Sequence, residues 1–546
     1  MSAGLKTGPI ASEWSSLDTD RKGSLDQVRQ IAALTEPAVL PKSNQRPDQD
    51  LPNPYQSLGP RGAVNLAGVL LTYLFPAEFP WGKFSLSPEY LYSGSDPSAI
   101  QKAQDLLFLA DLHVHSLFES SSRDYTKPLG FRSQKYRSLM QLLVGGDVLE
   151  CVDHGMKEDG SEGDDFRIRF FRQDRYVSQR DTSGSPVLHI TQESKDAASF
   201  SDEDFAKSEL PKELLEKTRT ERMVPLYTRV EMHPFSRVWT ITQEINGVEI
   251  RTAEDKHSRY FCTPYRLVGE EHYGRGFFAA FEGDLRSLEK LRECLLDFAA
   301  TASKHLLFLD SASELRASDF AKRTGSVIEG ARIVGGQVQD AAFFRADKMP
   351  DFQVVEKVHE NIRADVGASV MLRSESVRQS ERTTAYEVAE TVIREMEGMQ
   401  GGLMSQIADY QQVPLFNYAR YWLQEKNKLP PQVGEMFNRK MVEIQALTGV
   451  AALARTARAN SLLTTLERLG RIDPAMLAPL NRDQVLHYLT RAANFYEPGL
   501  IKTREETEQE TQKALQVQAQ QQAIETTGKV IENTAAAQAS AQTGAA

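Results

Sequence analysis

The sequence predicts an α+β protein in which helices predominate. Apolar residues recur at three- and four-residue steps before residue 145 and again after residue 284, as on the buried face of a helix. Between residues 166 and 252 the pattern changes to short alternating runs, which is typical of strands. With 546 residues, 40% of them hydrophobic, the chain is long enough for more than one core and is not generally disordered.

Three helices are predicted in the first part of the chain. The first runs from Gly62 to Phe75, is apolar on all but a narrow side, and is stopped by Pro76. The second covers Pro97 to Phe118, and the third covers Phe131 to Val144 before a glycine pair that can cap it. The first fifty residues are mostly polar and predict an arm with one short helix around Leu25 to Leu34.

The alternating region predicts short strands joined by tight turns. Ser183-Gly184 and Asn246-Gly247 are typical hairpin turns. The charged stretch Ser199–Arg222 predicts an exposed helical insertion. The predicted strands cover residues 166–171, 176–180, 187–191, 227–233, 238–245 and 248–252.

Two further helices flank a short mixed segment. They are predicted over Asp284–Lys304 and Asp351–Leu372, and the first would be about 30 Å long at 1.5 Å per residue. Later, Thr384 and Glu387 form a capping box at the start of a long helix. More helices are predicted over Pro430–Tyr496, followed by a Gln- and Ala-rich tail, 501–546, that can bury little surface and is expected to be a fraying helix or partly disordered.

Composition excludes several classes of protein. Three widely spaced cysteines, Cys151, Cys262 and Cys294, argue against a disulfide framework or a Cys-rich zinc site. The most apolar stretch, Ala63–Phe75, is too short to span a bilayer. A phosphate-binding Gly-x-x-x-x-Gly-Lys-Ser/Thr loop and a Gly-x-Ser-x-Gly elbow are both missing from the sequence. We therefore expect no catalytic residues, no metal and no cofactor.

Several motifs together resemble one family. They are Gln56–Ala67 running on to Pro76, Arg175–Asp181, Glu271–Gly276 followed by Gly283–Leu291, and Arg378–Gly402. In this order, from about residue 50 to residue 425, they resemble the head-to-tail connector (portal) proteins of short-tailed double-stranded-DNA phages.

The resemblance implies a portal fold assembled as a ring, usually of about twelve subunits. Its implied regions are an N-terminal arm (1–50), a helical and then β-rich wing (51–283), stem helices (284–305 and 351–372), a clip (306–350), a tunnel loop (373–383), a long wing helix (384–429), a helical crown (430–500) and a C-terminal tail (501–546). The expected function is genome packaging and ejection without enzymatic activity.

The implied partners follow from that role. They are genomic double-stranded DNA in the channel, a terminase and later tail or adaptor proteins at the clip, and the major capsid and scaffolding proteins. No membrane is expected. The protein would be assembled in the host cytoplasm and reside at one vertex of the virion.

A channel must admit DNA without holding it, and a net charge of −11 fits weak, local contact. By the resemblance, Arg373, Arg378 and Arg382 in the tunnel loop are candidates for that contact. Alternatively, they and two interleaved glutamates form a solvated linker with a local net charge of +1. The resemblance also places Asp284, Arg286, Glu289 and Lys290 in the first stem helix.

An enzyme remains the alternative. Asp111, His113 and His115, with Asp153-His154 downstream, look like the metal ligands of polymerase-and-histidinol-phosphatase (PHP) phosphoesterases, which use a metal to activate water. The flanking apolar residues have helical period, however, and residues two apart on a helix diverge by about 200°. His113 and His115 would then not share a metal.

Overall fold

The chain divides into two compact units, residues 1–451 and 452–546. The computed structural model describes residues 6–42, 49–76, 81–92, 97–123, 130–155, 163–302, 349–370, 406–447 and 462–469, shorter pieces between 307 and 343, and positions 471, 485 and 489. In the second unit the described part is helical.

The helices of the described residues are given in chain order. They are α1 (Pro9–Asp20), α2 (Lys22–Leu34), α3 (Leu58–Leu74), α4 (Pro88–Leu91), α5 (Pro97–Arg123), α6 (Phe131–Gly145), α7 (Asp202–Lys207), α8 (Glu282–Ala302), α9 (Met349–Ser369), α10 (Val413–Glu425) and α11 (Pro431–Asn438). A π-helical turn, Ala408–Gln412, leads directly into α10.

The strands of the described residues are likewise numbered along the chain. They are β1 (Gly82–Leu86), β2 (Asp147–Asp153), β3 (Arg167–Phe171), β4 (Tyr176–Arg180), β5 (Pro186–Asp196), β6 (Met223–Met232), β7 (Trp239–Ile245), β8 (Val248–Asp255), β9 (Tyr260–Pro264), β10 (Leu307–Leu309), β11 (Ile333–Val334), β12 (Gln337–Val338), β13 (Ala341–Phe343) and β14 (Val442–Ala446).

Two antiparallel sheets form the β-rich part of the first unit. Strands β4 to β8 make a five-stranded sheet in chain order, and β2 lies between β3 and β9 in a three-stranded sheet. The β7–β8 turn is Asn246-Gly247, with both residues at positive φ (53° and 79°), as a tight hairpin turn requires. Pairs β1–β14, β10–β13 and β11–β12 are antiparallel and two-stranded.

The main core lies among α3, α5, α6 and α10. Leu66, Leu107, Leu139 and Phe416, from these four helices, are each almost fully buried. A smaller cluster, Leu149, Cys151, Phe171, Tyr176 and Cys262, joins residues of the two sheets. The other face of the five-stranded sheet is covered by α1.

The five helices predicted on either side of the strand region are confirmed, with ends shifted by a few residues. Helix α6 ends at Gly146, whose φ of 82° is the left-handed conformation expected of a glycine cap. Helices α8 and α9 begin two residues earlier and end two or three residues earlier than predicted.

The short helix predicted around Leu25 to Leu34 is confirmed as α2, but the residues around it are less of a polar arm than was predicted. Two helices, α1 and α2, occupy residues 9–34, and Leu25, Val28 and Ile31 join the main core. Because these residues recur every three positions, one face of α2 buries them while the polar majority stays outside.

Two other stretches also differ from their predicted character. The insertion Ser199–Arg222 is helical in part, but it is not simply exposed, since Leu210 and Leu214 are buried against the five-stranded sheet. Within the predicted helical crown, Val442–Ala446 is a strand, because its alternating side chains match β1 across the pair Phe84 and Ile444. No helix in the described ranges combines the length and apolarity that crossing a membrane needs.

Candidate functional site at the base of the helix pair

Helices α8 and α9 lie side by side and antiparallel. Phe298 near the end of α8 stacks on Phe352 near the start of α9, with ring centroids 5.0 Å apart. At the other end, Leu285 and Leu288 of α8 and Val366 of α9 are buried. The pair is therefore anchored in the core at one end, while its opposite end is more open.

The anchored end of α9 docks against α3. Asn65 donates a hydrogen bond from Nδ2 to the carbonyl oxygen of Val370, at 3.0 Å. Gly62 makes this close approach possible, since a Cβ at that position would lie 3.0 Å from the Val370 side chain. The motif that begins at Gln56 thus forms the surface against which the end of α9 packs.

Two of the four predicted stem residues bind other parts of the same chain. The Glu289 carboxylate accepts hydrogen bonds from the backbone N–H groups of Tyr55 and Gln56, at 2.9 and 3.1 Å. Arg286 donates to Gln30 of α2 at 2.9 Å and also pairs with Glu282. Both side chains hold the N-terminal part of the chain against the base of α8.

The other two predicted stem residues are exposed. Asp284 lies in the first turn of α8, where a negative charge is favourable beside the helix N-terminus. Lys290 pairs with Glu293 at 2.8 Å on the surface, where solvent and salt screen the interaction. Neither side chain is directed into the core.

A glycine-rich crossing leads into α8. A Cβ on Gly146 would lie 2.3 Å from the carbonyl oxygen of Gly274, and one on Gly276 would lie 2.6 Å from that of Leu143. The loop before α8 therefore passes in direct backbone contact with the end of α6. This contact explains the glycines of the 271–276 motif, because side chains at these positions would force the two segments apart.

Beside this crossing, Asp147 is the centre of a buried polar network. Its carboxylate accepts hydrogen bonds from the Tyr176 hydroxyl at 2.9 Å and from the backbone N–H of Gly274 at 3.3 Å. Arg180 forms an ion pair with it at 3.0 Å, and the Cys262 thiol lies 3.1 Å away. One carboxylate thus ties together β2, β4, β9 and the loop before α8.

Burial determines the protonation of this network. It raises the pKa of Tyr176 well above its ordinary value, and the Asp147 carboxylate raises it further. Burial and Asp147 likewise raise the pKa of the Cys262 thiol. Both groups are held protonated, and the four side chains of the network are buried, so the network fixes the relative positions of the strands and the loop before α8.

The Asp147 network connects the 175–181 motif with the 271–276 motif, which are separate in the sequence. Arg180 belongs to the 175–181 motif, and it also donates from Nε to the carbonyl oxygen of His272 at 3.0 Å. The Tyr273 hydroxyl accepts a hydrogen bond from the backbone N–H of Ser178 at 2.9 Å. Sequence reasoning missed Asp147, although its position directly after the glycine pair was a signal that the chain makes a tight contact there.

The histidines of the enzyme alternative are separated as their helical spacing predicted. On α5, His113 is exposed and bonds to the Leu109 carbonyl, whereas His115 is directed inward with its Nε2 3.0 Å from the Gly82 carbonyl oxygen. His154 is buried with Nε2 2.7 Å from the Tyr418 hydroxyl. The described residues contain no group of side chains that could hold a metal ion, so the phosphoesterase interpretation has no support.

The three tunnel-loop arginines, Arg373, Arg378 and Arg382, lie outside the described residues, as does the predicted start of the long helix at Thr384. The described part of that helix, from residue 406, contains the π turn. Pro414 accounts for the turn, because a proline lacks the N–H that would continue regular α-helical bonding. The role of the arginines stays a prediction.

The buried Asp147 network and the contacts of Glu289 and Arg286 fix the base of the helix pair α8 and α9. A family model described as bacteriophage head to tail connecting protein matches residues 7–499. Because this match covers most of the chain, the protein belongs to that family.

Three relatives that are similar to this chain over most of its length are portal proteins of phages. The chain is 26% identical to the portal protein of Escherichia phage T7 over 521 residues, covering 93% of this chain and 90% of the relative. It is 27% identical to that of Enterobacteria phage T3 over 510 residues, covering 92% and 90%. The portal protein of Enterobacteria phage SP6 is 24% identical over 535 residues, covering 95% of each.

Solved structures of gene transfer agent particles are more distant. A chain from the virion of a native particle aligns over 85% of this protein and 93% of its own length, with 10% identity and a TM-score of 0.39. The family assignment rests on the sequence match alone.

Proposed function

We propose that this protein is the subunit of a portal ring at one capsid vertex, through which double-stranded DNA enters during packaging and leaves during ejection. The match to the connector family over residues 7–499 carries this proposal. The helix pair α8 and α9 would line the channel as its stem, held at the wing by the Asp147 network.

The open end of the helix pair supports assembly with further copies. Val354 and Val358 lie one turn apart on α9 and are 64% and 44% exposed, and Leu296 on α8 is 46% exposed. A single chain leaves these apolar side chains in water. A neighbouring copy in a ring would cover them through a heterologous contact, in which one face of a subunit meets a different face of the next.

The finer parts of the proposal concern partners. The short strands β10 to β13 between the stem helices would form the clip, where a terminase docks first and tail or adaptor proteins dock later. Scaffolding and major capsid proteins would contact the ring from outside, after assembly in the host cytoplasm. About twelve subunits would close the ring.

The test is the mass of the purified protein. Wild type should give particles near twelve times 61.2 kDa by mass photometry. Val354→Asp places a charge in the proposed contact and should shift the distribution toward single chains, with circular dichroism unchanged. Val64→Asp makes the same change at a valine 49% exposed on α3 and should leave rings intact. Wild-type protein that stays a single chain at micromolar concentration would contradict the proposal.

A further inference from the structure

Buried cations in the described part of the chain are paired with carboxylates, with one exception. The paired lysine and arginines are Arg21 with Asp18, Lys135 with Glu150, and Arg180 with Asp147. The exception is Arg420 on α10, which is only 6% exposed and forms no ion pair with any described carboxylate. Because an isolated buried charge is costly, an unpaired arginine at this depth requires an explanation.

Neutral groups surround the Arg420 guanidinium. Nη1 donates to Oε1 of Gln424 at 2.9 Å, and Nη2 donates to Oδ1 of Asn417 at 3.0 Å. The ring of Phe437 on α11 lies against it, with the centroid 4.3 Å from the central carbon. Nε is buried without a partner. A guanidinium has five N–H donors, so most of its donor capacity is unused here.

The guanidinium lies just beneath the surface. Asn417, Gln424 and Phe437, which contact it, are all partly exposed, as is the adjacent Tyr421. The nearby Glu425 carboxylate accepts the Tyr421 hydroxyl at 2.6 Å and does not pair with Arg420. A group arriving from outside would therefore meet the guanidinium after crossing only one layer of side chains.

The residues around Arg420 are closely packed. A Cβ on Gly434 of α11 would lie 2.0 Å from Nε2 of Gln424, so α11 packs closely on the amide that orients Arg420. His257 approaches from the other side, with Nδ1 3.4 Å from Nδ2 of Asn417. Burial and the charge of Arg420 lower the pKa of His257, which favours its neutral form. Burial also lowers the pKa of Arg420, to about 10, so the guanidinium stays charged at neutral pH.

We propose that Arg420 receives an Asp or Glu carboxylate from a neighbouring copy of this chain, making this face of α10 and α11 part of the contact between subunits. The inference rests on the proposed function, because that function supplies the neighbouring copy.

Two features favour a carboxylate of a second copy. The chain carries 75 acidic residues against 64 lysines and arginines, so a neighbouring copy offers many carboxylates to Arg420, which pairs with none in the described part of its own chain. An arginine flanked by Tyr421 and Phe437 also has the composition of residues that dominate protein interfaces. A planar guanidinium with free N–H groups matches the two oxygens of a carboxylate.

Arg420→Gln tests the site because it should weaken assembly of the ring without lowering the stability of the single chain. Removing an unpaired buried charge should leave the thermal unfolding of the dilute single chain unchanged or raise its midpoint. Losing the intersubunit ion pair should raise the protein concentration at which half the chains are in rings by roughly thirtyfold or more. Mass photometry over a dilution series measures the second effect.

Arg219→Gln, at an arginine that is 83% exposed in the insertion Ser199–Arg222, is the matched control and should change neither quantity. Rings of Arg420→Gln with the wild-type half-assembly concentration would overturn the inference. A second result would also overturn it: inorganic phosphate raises the midpoint of thermal unfolding of wild type but not of Arg420→Gln, and the rings of the variant are unchanged. That result would assign the site to a free anion. If wild type forms no rings at all, it is the proposed function that fails.

Discussion

His115 shows how a residue that suggests metal chemistry in the sequence can serve packing in the fold. Its ring packs against Trp81 and Phe416, with centroids 6.1 and 5.4 Å away, and its Nε2 lies 3.0 Å from the carbonyl oxygen of Gly82. Burial lowers its pKa from 6.5 to about 4. The imidazole is therefore neutral in the folded protein at physiological pH, with Nε2 donating to Gly82.

This neutral histidine makes stability depend on pH with a defined sign. Below pH 6.5 the unfolded chain takes up a proton at His115 that the folded chain does not take up until about pH 4. Stability should fall as pH decreases through this window, by about 3 kcal/mol in total from this group. His115→Gln keeps an N–H donor and should lose this part of the pH dependence.

Urea unfolding at pH 7 and pH 4, compared between wild type and variant, measures the difference. His113→Gln, at the exposed histidine two residues earlier on α5, serves as the control and should follow wild type. Equal pH dependence in wild type and His115→Gln would contradict the assignment of a neutral, buried imidazole.

At the scale of elements, the glycine crossing brings the end of α6 and the loop before α8 into direct backbone contact. Gly146→Ala should destabilise the protein by at least about 3 kcal/mol, since it combines a positive φ with direct backbone contact. Gly283→Ala, in the first turn of α8 where a Cβ meets nothing within 4 Å, should stabilise by about 0.5–1 kcal/mol. The midpoint of urea unfolding distinguishes them, and similar midpoints would show that the crossing tolerates a side chain.

The helices could be predicted because their apolar residues repeat with the helical period, but several strands could not. Strand β2 is buried at six of its seven positions, so it lacks the alternation that marks a half-exposed strand. Strands β1 and β14 are short and pair across more than 350 residues, a contact that no local pattern specifies. The π turn at Ala408–Gln412 was likewise not predicted, although Pro414 marks it.

The candidate site was predictable only in pieces. The 175–181 and 271–276 motifs are visible in the sequence, and helix α8 follows from its periodicity. Their convergence on Asp147 depends on tertiary packing of β2, β4 and β9, which brings Arg180 and Gly274 to one carboxylate. Glu289 illustrates the same limit, since its partners at Tyr55 and Gln56 are more than 230 residues away.

At the scale of the whole molecule, net charge determines where a ring of these chains would attract or repel DNA. Each copy carries a net charge of −11, so a ring repels a polyanion over most of its surface. Exposed charges act over about 8 Å at physiological salt, which lets a small basic girdle attract DNA locally without capturing it. Repetition around the ring would then restrain the position of the DNA through many contacts, each of which stays weak.

The tunnel-loop arginines are the proposed girdle, and their removal separates assembly from DNA handling. Arg373→Ser, Arg378→Ser and Arg382→Ser together remove three positive charges per copy and should leave ring mass unchanged, because the proposed subunit contacts lie on α8 to α11. The yield of genome-filled particles should fall, since fewer phosphates are neutralised in the channel. Arg219→Ser removes an arginine that is 83% exposed in the insertion Ser199–Arg222 and should not lower the yield. Normal yield from the triple variant would instead favour the solvated linker, in which Glu375 and Glu381 offset the arginines.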